Sequence, residues 1–313
     1  MNSSASVKVQ RPKKKYYRLF GKVYKKSDTL VGVLFCLPAI ILGTVFVLAP
    51  IAISLGYAFT DANLLELNNV HFVGFDQFQL AFSDARFLTA LKNSGIFVVC
   101  VVPLQLVLAL GLALILNTKI RGNTFFRWAF FVPVMLSLAV TSMLWMNMLD
   151  PENGIINEFL ETIGIGRQNF LKDPDQALFV IVFMSAWQGA GYQMLIFLSG
   201  LKNVPKEVYE ASSIDGANKT TTFFKITLPS IKPTFAFVFV TMLIGAFRMI
   251  TQSMIMTGGG PLDATLTMSY YIYKQGIEFR NVGYSSAIAL IYTIIMSVIA
   301  LTCRRILEKD NTI

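Results

Sequence analysis

The chain has 313 residues, 54 % of them hydrophobic and only 14 % charged, against about 25 % charged in an ordinary soluble domain. That balance excludes a soluble globular fold, and the net charge of +9 calls for no nucleic-acid partner because the basic residues sort by loop. Three cysteines in apolar surroundings (Cys36, Cys100 and Cys303) and a single histidine, His71, give neither a disulfide framework nor a metal-ligand pattern.

Residues 1–28 read as a basic tail carrying Lys8, Arg11, Lys13, Lys14, Lys15, Arg18, Lys22, Lys25 and Lys26. Such a tail fixes orientation and can touch anionic lipid headgroups. Residues 29–60 follow without a charge, far longer than the roughly 7–15 residue core of a cleavable signal. They read as a retained first transmembrane helix. Further uncharged runs cover 93–118, 128–149, 176–201, 233–247 (continuing past Arg248) and 281–303. At 1.5 Å per residue each crosses about 30 Å of hydrocarbon. An unpaired amide there has no water to turn to, so the runs must be helical. The expectation is an all-α integral membrane protein with a permease domain over 29–305. Its six transmembrane helices fall near 30–59, 93–118, 128–149, 176–201, 233–257 and 282–303, and a tail covers 306–313.

Lysine and arginine placement sets the topology. Lys119, Arg121 and Arg127 lie in the second loop, Lys202, Lys206, Lys219, Lys225 and Lys232 in the fourth, and Arg304, Arg305 and Lys309 at the C-terminus. Loops one, three and five instead carry acids such as Asp61, Asp76, Asp84, Asp150, Glu161, Asp173 and Asp263. Both termini and the fourth loop are therefore expected in the cytoplasm of a bacterial-type cell, with the chain crossing its membrane several times.

The fourth loop, 202–232, is polar yet patterned. Pro205 suits the first turn of a helix, and Val208, Ala211 and Ile214 give that helix an apolar face. Asp215-Gly216 is a stop signal. A second short helix is expected from about Asn218 to Ile226, ending before Leu228-Pro229. Ala211 and Ser212 would keep one face small for a partner, with Glu210 offering a charged hydrogen bond.

Glu210-Ala211-Ser212, then Asp215-Gly216-Ala217, then Ile226-Thr227-Leu228-Pro229 resembles the "EAA" loop of ABC-importer permeases. Ala186-Trp187-Gln188-Gly189, Met256-Thr257-Gly258-Gly259-Gly260-Pro261 and Phe72-Val73-Gly74-Phe75-Asp76-Gln77-Phe78 are similar to further segments of the carbohydrate branch. The resemblance runs from about Leu30 to Arg305. It implies a type I ABC-importer permease fold, with the loop acting as a coupling helix docked in an ATPase subunit through Glu210, Ala211, Ser212, Asp215, Gly216, Ala217, Leu228 and Pro229.

It also implies partners: a second, maltose-G-like permease beside this maltose-F-like one, two ATPase copies that hold ATP and Mg²⁺, and an extracytoplasmic solute-binding protein. No cofactor is expected on this chain, which is not itself an enzyme. Carried across the motifs, solute contacts would fall at Val134, Leu138, Gly189, Tyr192, Ala246 and Met249, with Trp187 and Gln188 close by. Asparagines expected in the fifth span are replaced by Ala246 and Met249, which argues against maltose itself. Gly258, Gly259, Gly260 and Pro261 would form a hinge or a docking loop for the binding protein.

Arg248 stands out from its own chemistry. It lies about 21 Å along a helix counted from Thr234, where a charge costs roughly 2.5–3.5 kcal/mol unless it faces a cavity or a partner. Its planar fork of donors suits sugar hydroxyls or a carboxylate, so an oligosaccharide, and an acidic one, enters the expectation. A self-sufficient secondary transporter is the competing reading. It needs intramembrane carboxylates or discontinuous helices, and the acidic residues assign to loops, tails and helix ends.

Overall fold

The computed structural model describes residues 16–19, 22–66, 69–118 and 121–308. Most of the expected basic tail, Lys119 in the second loop and the end of the C-terminal tail lie outside the described residues. The chain divides into two units, 1–56 and 57–313.

In the first unit an antiparallel hairpin pairs β1 (Tyr16–Leu19) with β2 (Lys22–Lys25). The hairpin lies within the expected basic tail, outside the helical permease domain, and its local cause is legible: Tyr16, Tyr17, Val23 and Tyr24 are aromatic or β-branched residues that favour strands. A helical run follows, with α1 (Lys26–Gly43), a π-turn (Thr44–Leu48) and α2 (Ala49–Tyr57). The π-turn falls directly before Ala49-Pro50. Proline has no N–H to give and its ring crowds the carbonyl four residues back, which a widened turn relieves.

Apart from isolated bridges, the regular structure of the second unit's described residues is all helical. Its axis is the pair α4 (Ala85–Asn117) and α8 (Pro174–Lys202), which share the most extensive contact of any two elements. The two run parallel. Phe87, Val98 and Val101 meet Leu178, Ile181 and Met184 in one cluster, and Ala109, Ala113 and Leu116 meet Met194, Phe197 and Leu201 in a second. Between them in sequence lie α5 (Asn123–Met135), α6 (Leu138–Met148) and the short α7 (Ile155–Thr162). After α8 come α9 (Lys206–Ile214), α10 (Lys219–Thr222), a π-turn (Phe223–Thr227) and α11 (Leu228–Ser230). The chain then enters α12 (Lys232–Phe247), α13 (Thr251–Met256), α14 (Met268–Tyr273) and α15 (Val282–Glu308).

Five runs are long and apolar enough to cross a membrane, and α5 with α6 form a sixth candidate bent by 97°. The straight span expected over 128–149 is therefore corrected to two helices. Pro133 withdraws one amide from the ladder, and Leu136 and Ser137 adopt extended backbone, so the helical bonding cannot continue. The fifth span is also broken: α12 stops at Phe247, and Arg248, Met249 and Ile250 separate it from α13. Arg248 sits at that break rather than inside a helix.

Each break leaves carbonyls that hydrocarbon cannot satisfy. The Gln188 side-chain amide donates to the carbonyls of Pro133 and Leu136, both at 3.3 Å, and to Thr141 Oγ1 at 3.1 Å. At the other break, Phe247 O accepts from Ser269 Oγ (3.0 Å) and Tyr292 Oη (2.8 Å), and Met249 O from Thr267 Oγ1 (2.9 Å). Side chains from α8, α14, α15 and the turn before α14 thus do the work that the next helical turn would have done.

Helix approach is set by small residues. A Cβ on Gly191 would lie 2.1 Å from the Phe130 carbonyl oxygen, a backbone atom of α5 that cannot swing aside, whereas one on Gly245 would meet nothing within 4 Å. Gly191→Ala should therefore destabilise the detergent-solubilised protein by about 1–3 kcal/mol, read as a lower unfolding midpoint, with Gly245→Ala as the near-neutral control. Equal midpoints for the two variants would refute the close-approach account.

Candidate functional site

The two helix breaks face one cavity. It has a volume of about 380 Å³, with Val134, Leu136 and Leu138 from the first break and Arg248, Met249, Ile250 and Thr251 from the second on its wall. α4 contributes Phe97, Val101 and Gln105, and α8 contributes Ser185, Gln188, Gly189 and Gln193. Non-helical backbone at membrane depth is tolerated where it lines a cavity or is buried in protein, and here it does the former.

Of the predicted solute residues, Val134, Leu138, Gln188, Gly189, Ala246, Arg248 and Met249 come together on this wall. Two do not. Trp187 turns to Trp145 of α6, with ring centroids 5.6 Å apart, and Tyr192 is 52 % exposed and off the cavity lining. Trp187, two residues before Gly189, lies on the far side of α8, whereas Tyr192, three residues after it, lies on the same side of the helix, so the helix period alone does not account for its place off the lining. Gln188 is 5 % exposed, and its Oε1 has no donor among the described residues. Its amide nitrogen is committed to the α5–α6 break, a structural duty the sequence did not reveal.

Sequence reasoning passed over Gln105, Ser185, Gln193 and Gln252. Gln105 Nε2 donates to Gln193 Oε1 at 3.0 Å, linking α4 to α8 across the cavity wall. Gly189 makes room for it, since a Cβ there would lie 2.2 Å from Gln105 Nε2. The signal was available: an amide inside an otherwise apolar span is expensive and calls for a partner. No ion pair to Arg248 is found among the described residues, and its side chain is exposed.

At the opposite end of α8, the fourth loop forms the expected elbow. α9 ends in a Schellman motif: Ala217 N–H donates to Ser212 O (3.0 Å), Gly216 N–H to Ser213 O (3.2 Å), and Gly216 takes φ 73°. Glu210, Ala211, Asp215 and Gly216 are exposed, and Ile214 is 86 % exposed. Ser212 is corrected. It is buried, with its hydroxyl donated to Tyr209 O, and does not lie on the outward face. The second arm begins at Asn218, whose Oδ1 accepts from Thr221 N–H. It does not stop before Leu228. The π-turn at Phe223–Thr227 absorbs Pro229, as the earlier one absorbs Pro50, and helical backbone continues to Ser230.

The Thr257–Pro261 turn is tied rather than loose. Thr257 Oγ1 and Thr265 Oγ1 are 2.6 Å apart, Thr265 Oγ1 donates to Gly260 O at 2.9 Å, and Ser253 Oγ donates to Thr265 O. Gly258 and Gly259 supply positive φ, and Gly259 is buried against Leu266 and Tyr270. The segment expected as a hinge or docking loop, Gly258, Gly259, Gly260 and Pro261, is thus a braced turn in this structure, and Leu262 directly after it is 90 % exposed. Asp263 anchors it to the start of α4, through an ion pair with Arg86 (3.2 Å) and a bond from Asn93 Nδ2 to its carbonyl (2.8 Å).

Asp84 caps α4 by accepting from Arg86 N–H, and its other oxygen accepts from the hydroxyls of Tyr271 and Tyr284. Burial pushes its pKa up and is the largest single influence, but these bonds together outweigh it and hold the carboxyl below its ordinary value. Burial first, and Asp84 second, push the Tyr271 phenol up to about 12, so it stays a donor at neutral pH. A depressed folded-state pKa contributes stability above the unfolded value, lost as pH falls through the folded one. Asp84→Ala should therefore be less stable than wild type at pH 7, with the gap closing below about pH 4. A gap that stayed constant across a pH series of unfolding midpoints would contradict the charged cap.

Residues 105–312 match the family model described as "Binding-protein-dependent transport system inner membrane component". The probable ABC transporter permease protein YesP of Bacillus subtilis is 36 % identical over 281 residues, covering 88 % of this chain and 90 % of that protein. The sulfoquinovosyl glycerol transport system permease protein SmoG of Agrobacterium fabrum is 30 % identical, covering 91 % and 92 %. Among solved structures, a chain of the bacterial alginate ABC transporter in complex with its alginate pentasaccharide-bound periplasmic protein superposes with a TM-score of 0.78. It is 25 % identical and covers 89 % of this chain and 93 % of that one. The chain belongs to the family of binding-protein-dependent transport system inner membrane components, the permease subunits of ABC transporters.

Proposed function

We infer that this protein is the membrane-spanning permease subunit of an ATP-driven, binding-protein-dependent importer of sugars, forming half of the translocation pathway. The observation that carries the reading is the pairing of two features along α8: a cavity at two helix breaks whose largely apolar wall carries Arg248 and several amides and hydroxyls, and an exposed two-armed elbow at its C-terminal end. A cavity supplies a place for solute, and the elbow supplies a handle for an external motor. The two helix breaks by themselves would also suit an ion-coupled transporter; the cavity wall carries no carboxylate, and the elbow is the feature that favours an external motor.

In this reading ATP and Mg²⁺ sit on two partner ATPases, and closure of those subunits moves α9 through Glu210, Ala211, Asp215 and Gly216. A second permease completes the pathway. The solute-binding protein docks on the braced turn at Gly258, Gly259, Gly260 and Pro261, and rigid-body motion then opens the cavity alternately to each side. The termini and the elbow face the cytoplasm of a bacterial-type cell, because the basic loops lie at that end. The relatives named for sulfoquinovosyl glycerol and alginate transport place glycosides within the family's cargo, and Arg248 on the cavity wall favours an anionic one.

Glu210→Lys and Gly216→Pro should insert normally and co-purify with the other subunits, yet ATP hydrolysis should no longer drive uptake in proteoliposomes. The proline cannot adopt φ 73°. Full coupled transport by both variants would remove the elbow from the mechanism. The chain alone in vesicles should accumulate nothing, and concentrative uptake without an ATPase would overturn the importer reading itself. For the solute, Arg248→Gln should weaken binding of acidic sugars selectively, measured against neutral ones of the same length.

A further inference from the structure

We propose that Gln105 and Gln193 form a hydroxyl-reading subsite at the inner end of the cavity, which together with Arg248 orients a short acidic glycoside with its anion toward the helix break. The proposal rests on the sugar-importer reading and adds to it which end of the solute lies where.

The cavity is chemically divided along its length. Arg248, Thr251, Gln252 and Ser185 line one end, and Gln252 Nε2 reaches Ser185 Oγ at 3.4 Å. Gln105, Gln193 and Thr241 line the other. Ser185 and Gln193 are eight residues apart on the same helix, about 12 Å along its axis. Thr241 and Arg248 are seven apart on α12 and its break, about 10 Å. The two walls thus extend about 12 Å and about 10 Å along their helices, with Arg248 toward one end and Gln193 toward the other, long enough for a solute with two distinct ends.

The pair is built for recognition beyond a simple cross-link between α4 and α8. The contact just beyond it is already closed by Ala109, Ala190 and Met194, which need no polar bond to hold them. Each glutamine amide carries two donors and one acceptor oxygen. The single bond between the two uses one donor of Gln105 and the acceptor of Gln193. Gln105 Oε1 and the Nε2 group of Gln193 have no other partner among the described residues, and both side chains are half-buried on the cavity wall. An adjacent acceptor and donor match neighbouring hydroxyls on a sugar ring, which present the same two roles. Gly189 sets the position, because any side chain there would displace Gln105 from the wall.

The test is equilibrium binding to the assembled, detergent-solubilised importer, using a uronic-acid disaccharide and its carboxyl-reduced neutral counterpart. Gln105→Met and Gln193→Met keep volume and remove hydrogen bonding. Each should weaken both ligands about tenfold, the value of one neutral hydrogen bond. Arg248→Gln should weaken the acidic ligand alone. Unfolding midpoints and basal ATP hydrolysis report whether the variants assemble. If the methionine variants lower the midpoint but leave both affinities within twofold, the pair is only a cross-link and the proposal fails. Selective loss of the acidic ligand in the methionine variants would reverse the proposed orientation and overturn it. Binding of neither probe by the wild-type importer would instead count against the acidic-sugar reading on which the proposal stands. Gly189→Ala should reproduce the loss seen in Gln105→Met, and unchanged affinity in that variant would also count against the subsite.

Discussion

A carbonyl oxygen freed inside a membrane has nowhere to go except to another part of the protein. Two of the apolar runs in this chain stop being helical part-way, at Leu136–Ser137 and at Arg248–Ile250. The side chains that satisfy the exposed carbonyls come from elsewhere in the sequence: Gln188 for the first, and Thr267, Ser269 and Tyr292 for the second. These bonds set the relative positions of α5, α8, α12, α14 and α15. Both breaks then open on the same side of α8, and that coincidence is what makes a cavity with polar groups on its wall in an otherwise apolar bundle.

The parallel α4–α8 pair connects the ends of the molecule. At one end Asp84, Arg86 and Asn93 hold α14, α15 and the braced turn. At the other, Leu201 and Val204 belong to the cluster against which Tyr209 of α9 and Leu228 of α11 are seated. The middle third carries the cavity. One continuous helix, α8, runs from the cluster that seats α9 to the cavity wall, and two helix breaks are packed around it. The elbow itself is stiff, closed by two backbone bonds and one glycine in the left-handed region.

Proline placement illustrates how local chemistry is absorbed. Pro50 and Pro229 each follow a π-turn by two residues, so the missing N–H and the ring bulk are accommodated without ending the helix. Pro133 instead coincides with the end of α5, because an extended Leu136-Ser137 follows and Gln188 is in place to cap what is left open. The difference lies in the surroundings and not in the proline.

The class of protein, the positions of the apolar runs, and the elbow with its glycine stop were all legible in the sequence. They depend on composition and on residues within ten positions of one another. So was the oddity of Arg248, because a charge in an apolar run is visible without any fold. The tertiary structure alone decided that the third span bends through 97° and that Gln188 serves the bend from about fifty residues away. It also turned Trp187 and Tyr192 off the cavity, buried Ser212, and brought Gln105 to Gln193. Helix period fixes which residues share a face. Only the packing of one helix on another fixes which face meets water, lipid or a neighbour's unpaired carbonyl, and no local pattern encodes that choice.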